Sequence, residues 1–207
     1  SPLEQLSYTA WSMEGAAAAA QRVFEVLDTP DDVPDPQSPA RLPAGPGAIE
    51  FQGVGFQYAR GDEVLQGLTF RIQPGESVAV VGGTGAGKTT LLSLLPRFYD
   101  PSTGQISIHG IDLRNLAKQD LRSRQALVLQ ETILLSGTVQ ENIAYGRLGA
   151  SFREIEIAAQ EAQAHEFILA LPNGYQTQVG ERGVMLSGGQ RQRIGIARAF
   201  LRDAPIL

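Results

Sequence analysis

The feature that constrains this chain most is a glycine-rich loop at residues 82–87, which stands between two apolar runs. The run before it, residues 78–81, is Val-Ala-Val-Val, and four consecutive apolar residues favour a buried parallel strand. The run after it is rich in leucine and favours a helix that begins near Lys88. Residues 82–89 fit the pattern G-x-x-x-x-G-K-[ST] of a phosphate-binding P-loop in its strand–loop–helix setting. The phosphate-binding candidates are Gly82, Gly83, Thr84, Gly85, Ala86, Gly87, Lys88, Thr89 and Thr90.

The residue types in this loop suit an anionic ligand. Glycine lets backbone N–H groups turn inward to form a nest for phosphate oxygens, and the start of the helix adds a positive dipole end. Lys88 offers a compact charge to the β- and γ-phosphates, and the hydroxyl of Thr89 suits Mg²⁺. A turn that merely joins a strand to a helix is the alternative, but Lys88 is one of only two lysines among 17 basic residues. The loop therefore predicts a nucleoside triphosphate site.

Composition limits the other classes of function. A net charge of −5 without a basic cluster argues against nucleic acid as the main partner. The chain has no cysteine, which excludes disulfides, cysteine-based metal sites and thiol catalysis. Its two histidines, His109 and His165, are too few and too separated to suggest a metal site. No secretory signal is evident, and no apolar run reaches the roughly 18 residues that span a membrane, so we expect these residues to be soluble.

The chain divides into three predicted parts. Residues 1–29 are alanine-rich and predict a helix with an apolar stripe that would face a partner. Residues 30–47 contain six of the 12 prolines and predict an extended linker. Residues 48–207 form the predicted globular domain. The stripe consists of Ala16, Ala19, Ala20, Val23 and Leu27.

Within the domain, the sequence changes from strand to helix patterns. Residues 49–58 and 64–72 predict an antiparallel pair of strands, and residues 105–108 a further strand. The apolar run at residues 125–129 ends at Gln130. Residues 152–171 have helical periodicity, and another helical run follows LSGGQ at residues 186–190.

The LSGGQ segment on its own fits a helix-capping turn, since serine is a good N-cap residue. Together with the P-loop earlier in the chain, however, it makes residues 49–207 resemble the nucleotide-binding domain of an ABC transporter. RFYDPSTG at residues 97–104 and SGTVQENIAYG at residues 136–146 are similar to the exporter subclass. The resemblance implies an α/β P-loop NTPase fold with a parallel core sheet, an N-terminal antiparallel β subdomain and an α-helical subdomain that carries LSGGQ.

The same resemblance implies roles for residues outside the P-loop. Tyr58 matches the aromatic residue that stacks on adenine, although by itself it would be interpreted as a strand-edge aromatic. Gln130 resembles the glutamine that reaches Mg²⁺ and the attacking water, so Lys88 and Gln130 are the catalytic candidates, and Thr89 and Gln130 the metal ligands. TQVGERG at residues 177–183 resembles a loop that contacts transmembrane helices through Glu181. The residues implied to bind the nucleotide of an opposite domain are Ser187, Gly188, Gly189 and Gln190.

The resemblance implies the ATPase motor of an exporter, which binds ATP and Mg²⁺ between two such domains at the cytoplasmic face of the cell membrane. The N-terminal helix resembles the tail of a last transmembrane helix fused to the motor. The family continues with a strand ending in Asp-Glu and then a histidine, and Ile206 and Leu207 resemble that strand's start. We therefore expect a C-terminally incomplete domain that binds nucleotide weakly and does not hydrolyse it usefully. A nucleotide-binding module without turnover and a soluble ABC ATPase are the alternatives.

Overall fold

The computed structural model describes residues 2–59, 61–180 and 185–207, in two compact units at residues 1–34 and 35–207. The first unit contains helix α1, Pro2–Leu27, which confirms the predicted helix. Its alanine-rich sequence has high intrinsic helix propensity. Beyond the end of α1, the Thr29 hydroxyl donates to the carbonyl of Glu25 at 2.7 Å. The apolar side chains near this end are all more than half exposed: Val23, Phe24, Val26 and Leu27.

The predicted linker carries little regular structure. In the second unit, Ala40 forms an isolated parallel bridge with Leu116, and its N–H donates to the carbonyl of Asn115 at 2.8 Å. Proline removes backbone donors, so a ladder longer than one bridge is disfavoured in this stretch. The division at residues 1–29, 30–47 and 48–207 stays a prediction.

An antiparallel sheet begins the second unit and confirms the predicted N-terminal β subdomain. Its strands are β1 (Ile49–Gln57), β2 (Glu63–Ile72), β3 (Thr103–Ile108) and β4 (Ile111–Asp112), in the order β2-β1-β3-β4. Phe51 pairs with Phe70 on one side and Ile106 on the other, and the two phenylalanine rings stack at 4.3 Å. Side-chain alternation places the apolar residues of β1 and β3 in one buried core.

Two helices flank this sheet, and four more form the helical part of the unit. Helices α2 (Lys88–Leu94) and α3 (Lys118–Ser123) contribute leucines to the core of the sheet. Helices α4 (Val139–Ala144), α5 (Phe152–Glu161), α6 (His165–Leu169) and α7 (Gly188–Arg202) surround a second core that includes Ile143, Ile155 and Ile194. The strands β5 (Gly137–Thr138) and β6 (Gln178–Val179) pair beside them. The mixed α/β class and the helical part that carries LSGGQ are confirmed.

The sequence determines where several of these helices begin. Thr138, Ser151 and Ser187 each form a capping box with a Glu or Gln three residues later, which satisfies two of the N–H groups at each helix start. The N–H and hydroxyl of Thr138 hold the pKa of the Glu141 carboxyl below its usual value. The predicted helical run at residues 152–171 is divided into α5 and α6, because Gln163 between them has a left-handed φ of 54°.

The parallel core sheet is the part of the predicted fold that the described residues do not form. Residues 77–83 make no strand, and Val81 is 87% exposed, so the prediction of a buried strand at residues 78–81 is wrong for this structure. Residues 126–129 also make no strand, and Leu129 is half exposed. A parallel strand depends on hydrogen-bonded neighbours and on apolar cover over both faces. Among the described residues of this region, the parallel pairing is a single bridge between Gln125 and Ile206.

Candidate functional site

The P-loop joins the exposed segment at residues 77–83 to α2, and one glycine in it is required by its geometry. Gly87 precedes α2 with φ 82°, in the left-handed region. A Cβ at this position would lie 2.7 Å from Cδ2 of Leu65 on β2 and 3.2 Å from the carbonyl oxygen of Val64. Glycine therefore serves both the turn and the close approach of the loop to the sheet.

The backbone of this loop presents unused donors. The N–H of Ala86 donates to the carbonyl of Gly83 at 3.3 Å, and that of Leu91 to Gly87 at 2.8 Å. The N–H groups of Thr84, Gly85 and Gly87, in contrast, make no hydrogen bond with the part of the chain that the structure describes. Successive N–H groups in such a turn form a concave surface that suits an anion.

Lys88 lies at the first position of α2, with its side chain folded over the loop. Its Nζ donates to the carbonyl oxygens of Gly82 at 2.8 Å and Gly83 at 2.6 Å. These bonds hold a positive charge beside the N–H groups of the loop. Phosphate oxygens are stronger acceptors for an ammonium than neutral carbonyls, so an incoming phosphate can replace the two carbonyls as partners.

The next two residues of α2 differ in exposure. Thr89 is exposed, so its hydroxyl is accessible beside the loop, and a neutral oxygen of this kind suits Mg²⁺, which also keeps waters and phosphate ligands. Thr90 is 6% exposed, and its hydroxyl lies 3.0 Å from the hydroxyl of Tyr58. The structure therefore brings Tyr58, from the end of β1, next to the P-loop helix.

Gln130 is not brought to this loop. It is exposed, lies in an irregular segment and makes no hydrogen bond with the described residues. The segment that follows it is held by α4 and α7 instead. Asn142, 2% exposed, donates to the carbonyls of Leu135 and Thr138 and accepts from the N–H of Leu135.

Arg198 of α7 completes that arrangement. It donates to the carbonyl of Asn142 at 2.6 Å, to the amide oxygen of Asn142 at 2.6 Å and to the carbonyl of Ile133 at 2.8 Å. Burial lowers the pKa of the Arg198 guanidinium below its ordinary value. The sequence analysis missed this pair, because Asn142 and Arg198 lie far apart in the chain and no local pattern joins them.

The LSGGQ segment forms the exposed start of α7. The hydroxyl of Ser187 accepts from the N–H of Gln190, and Oε1 of Gln190 accepts from the N–H of Ser187 at 2.9 Å. Nothing lies within 4 Å of a Cβ built on Gly189, so this surface is open. Leu186 and Ile194 anchor the segment to the helical core, whereas the P-loop helix packs on the core of the sheet. No hydrogen bond between described residues joins the two motifs.

The described residues include only part of the predicted TQVGERG loop, and they also bear on the predictions about membrane spans and metal ligands. In the TQVGERG segment, Thr177 is buried and accepts from the N–H of Asn173, whereas Glu181 and Gly183 lie outside the described residues. The described helices include none with the length and hydropathy that crossing a membrane requires. The described residues contain no group of His, Cys, Asp and Glu that could hold a metal ion, and the candidates Thr89 and Gln130 are of other types.

Comparison with known proteins shows which family this chain resembles. A family model described as "ABC transporter" matches residues 65–207. Over the whole chain the sequence is 48% identical to an ATP-dependent lipid A-core flippase of Chromobacterium violaceum, of which it covers 35%. It is 45% identical to a putative multidrug export ATP-binding/permease protein of Bacillus subtilis, of which it covers 36%. The chain thus spans about a third of the length of these curated relatives.

A solved structure is similar as well. It is that of a bacterial Atm1-family ABC exporter with ATP bound, and it matches with a TM-score of 0.85 and 42% sequence identity. The match covers 92% of this chain and 33% of that chain.

Proposed function

This chain belongs to the ABC transporter family, and we propose that it forms the nucleotide-binding part of the ATP-hydrolysing motor of an exporter, fused to a membrane domain in a longer protein. The observation that carries the proposal is the P-loop itself. Unused N–H groups, the ammonium of Lys88 and the ring of Tyr58 are held together around the start of α2. Relatives named as flippases and as export ATP-binding/permease proteins favour an exporter over a soluble ABC ATPase.

In this proposal, the P-loop, Tyr58 and Gln130 would contact different parts of Mg²⁺-ATP. The N–H groups of residues 83–88 would donate to the phosphate oxygens, and Lys88 would move from its two carbonyl partners to the β- and γ-phosphates. The Thr89 hydroxyl and the amide oxygen of Gln130 would hold Mg²⁺, which would supply positive charge beside the phosphates. Tyr58 stacks on the base. Gln130 also positions the attacking water, which requires its segment to approach the P-loop when nucleotide is bound.

A second domain, identical or different, completes the site. Ser187, Gly188, Gly189 and Gln190 of one domain contact the γ-phosphate held by the P-loop of the other, through a hydroxyl and the N–H groups at the start of α7. Two observations support this arrangement: the two motifs pack on different cores, and the surface at Gly189 is open. Closure of the two domains on ATP would move the membrane helices, and hydrolysis would reset them.

We also infer a location and partners for this motor. The motor would lie at the cytoplasmic face of the cell membrane as part of an integral membrane protein, with α1 as the connection from the membrane domain. Its partners are that membrane domain and a second nucleotide-binding domain, not nucleic acid. This assignment is supported by the permease part of the relatives' names and by the net charge of −5.

Titration with a fluorescent ATP analogue tests the proposed site. Lys88→Ala removes the one lysine of the loop, and a charge-assisted hydrogen bond contributes about 1.5–3 kcal/mol, so the affinity should fall about ten- to a hundredfold. Lys118→Ala is the matched control, because Lys118 is the only other lysine in the sequence and starts a different helix, α3. Equal affinities in Lys88→Ala and the unsubstituted chain would contradict the proposed function.

A further inference from the structure

We infer that Tyr99 is a positioning residue, whose ring holds the ring of Tyr58 in the orientation that stacks on the base of a nucleotide. This inference rests on the proposed function of Tyr58 and adds a residue to it. Tyr99 lies in the loop after α2, within the RFYDPSTG segment at residues 97–104.

The three rings around this position form one cluster. Tyr99 meets Tyr58 with ring centroids 5.4 Å apart and planes at 88°, and Phe56 meets Tyr58 at 4.8 Å and 89°. Both are edge-to-face arrangements, which the quadrupoles of aromatic rings favour. Tyr58 is nevertheless 36% exposed, so part of its ring remains accessible to a ligand.

The hydroxyl of Tyr58 cannot fix the orientation of its own ring. Its oxygen, 3.0 Å from the hydroxyl of Thr90, lies on the axis about which a tyrosine ring rotates. Rotation about that axis leaves the hydrogen bond intact while it turns the face that a base would contact. The orientation of the face is therefore determined by the neighbouring rings, Phe56 and Tyr99.

Tyr99 can serve this purpose because its loop is held from several sides. Arg97, 2% exposed, binds the carboxylate of Asp100 through two hydrogen bonds of 2.8 and 3.0 Å. The same guanidinium donates to the carbonyls of Leu113 and Leu116. Arg122 donates to the carbonyl of Arg97 at 3.0 Å. Tyr99 thus sits on a backbone that is fixed on both sides of it.

The two neighbouring rings differ in how they can be tested. Phe56 is 4% exposed and belongs to the core of the sheet, so its removal would disturb the fold. Tyr99 is 42% exposed, and its hydroxyl makes no hydrogen bond with the described residues. Tyr99→Leu therefore removes the ring at little cost to the core, and Tyr99→Phe keeps the ring as a conservative control.

Calorimetric titration of the full chain with ATP and with inorganic tripolyphosphate, both with Mg²⁺, tests the inference. Tyr99→Leu should weaken ATP binding about two- to twelvefold, the range expected for one edge-to-face pair, and leave tripolyphosphate binding unchanged. Tyr99→Phe should restore ATP binding. In a Tyr58→Leu background, Tyr99→Leu should have no additional effect, because it acts through Tyr58.

The results that would contradict this inference differ from those that would contradict the proposed function. Unchanged ATP binding in Tyr99→Leu, an equal loss for tripolyphosphate, or a full additional loss in the Tyr58→Leu background would each overturn the positioning role. If the unsubstituted chain bound neither ligand, the proposed function would fail, and this inference with it. If it bound both ligands equally well, the P-loop assignment would stand but the base contact, and with it the role of Tyr99, would be refuted.

Discussion

Replacement of Arg198 by alanine should destabilise the unit at residues 35–207 more than removal of any exposed arginine. Arg198 crosses from α7 to the segment after Gln130 and donates three hydrogen bonds to two residues, Asn142 and Ile133. Asn142 in turn holds Leu135 and Thr138. Loss of the guanidinium therefore removes a connection between the LSGGQ helix and that segment.

The expected loss of stability depends on the acceptors that no longer have a charged donor. A hydrogen bond to a charged group contributes about 1.5–3 kcal/mol, but three bonds from one side chain are not additive. The amide oxygen of Asn142 keeps the N–H of Leu135 as a donor, whereas the carbonyls of Asn142 and Ile133 lose the charged donor. We expect Arg198→Ala to lower the free energy of unfolding by about 2–4 kcal/mol. Arg198→Lys keeps the charge but not the planar fork, and should cost about half as much.

Urea denaturation, monitored by circular dichroism, measures this difference in the free energy of unfolding. The comparison requires that the dependence of this free energy on urea concentration is the same in both proteins. Arg153→Ala is the matched control, because the side chain of Arg153 is 71% exposed and pairs with Glu156 on the surface of α5. An exposed pair contributes about 0.2–1 kcal/mol. If Arg198→Ala unfolded at the same urea concentration as Arg153→Ala, the claim that this contact stabilises the unit would be refuted.

Two further predictions concern glycines of the two motifs. In the longer protein, Gly189→Asp should place a carboxylate against the γ-phosphate of the opposite domain and abolish ATP-induced pairing while it spares ATP binding; cross-linking that is unchanged by this substitution would contradict the proposed arrangement. Gly87→Ala should lower the free energy of unfolding more than Gly45→Ala. Both glycines have φ above 80°, but only a Cβ at Gly87 meets a neighbouring side chain, that of Leu65 at 2.7 Å. Equal losses in thermal denaturation would mean that the loop can shift away from β2.

Local patterns predicted much of this fold. The alternation in β1 and β2 specifies an antiparallel pair, because each strand carries its own buried face and a short connection joins them. Ser187 followed by Gln190 specifies the start of α7 through side chains that bond to the adjacent backbone. The glycines and Lys88 of the P-loop likewise act within a few residues of each other.

The features that the sequence did not predict depend on distant partners. Residues 78–81 have the composition of a parallel strand, but a strand forms only where neighbouring backbone is in register, and composition does not supply that neighbour. Arg198 and Asn142 meet across 56 positions of the chain. Tyr99 faces Tyr58 only because the loop after α2 turns back to the end of β1.

The central claim is that the N–H groups of the P-loop bind the phosphates of ATP, and hydrogen–deuterium exchange with and without Mg²⁺-ATP tests it most directly. The N–H groups of Thr84, Gly85 and Gly87 have no partner among the described residues, so they should exchange rapidly in the free chain. Phosphate oxygens bound to these groups would protect them, and the account predicts slower exchange across residues 83–90 in the presence of Mg²⁺-ATP, which Lys88→Ala weakens. Exchange in this segment that is the same with and without saturating nucleotide would contradict the account.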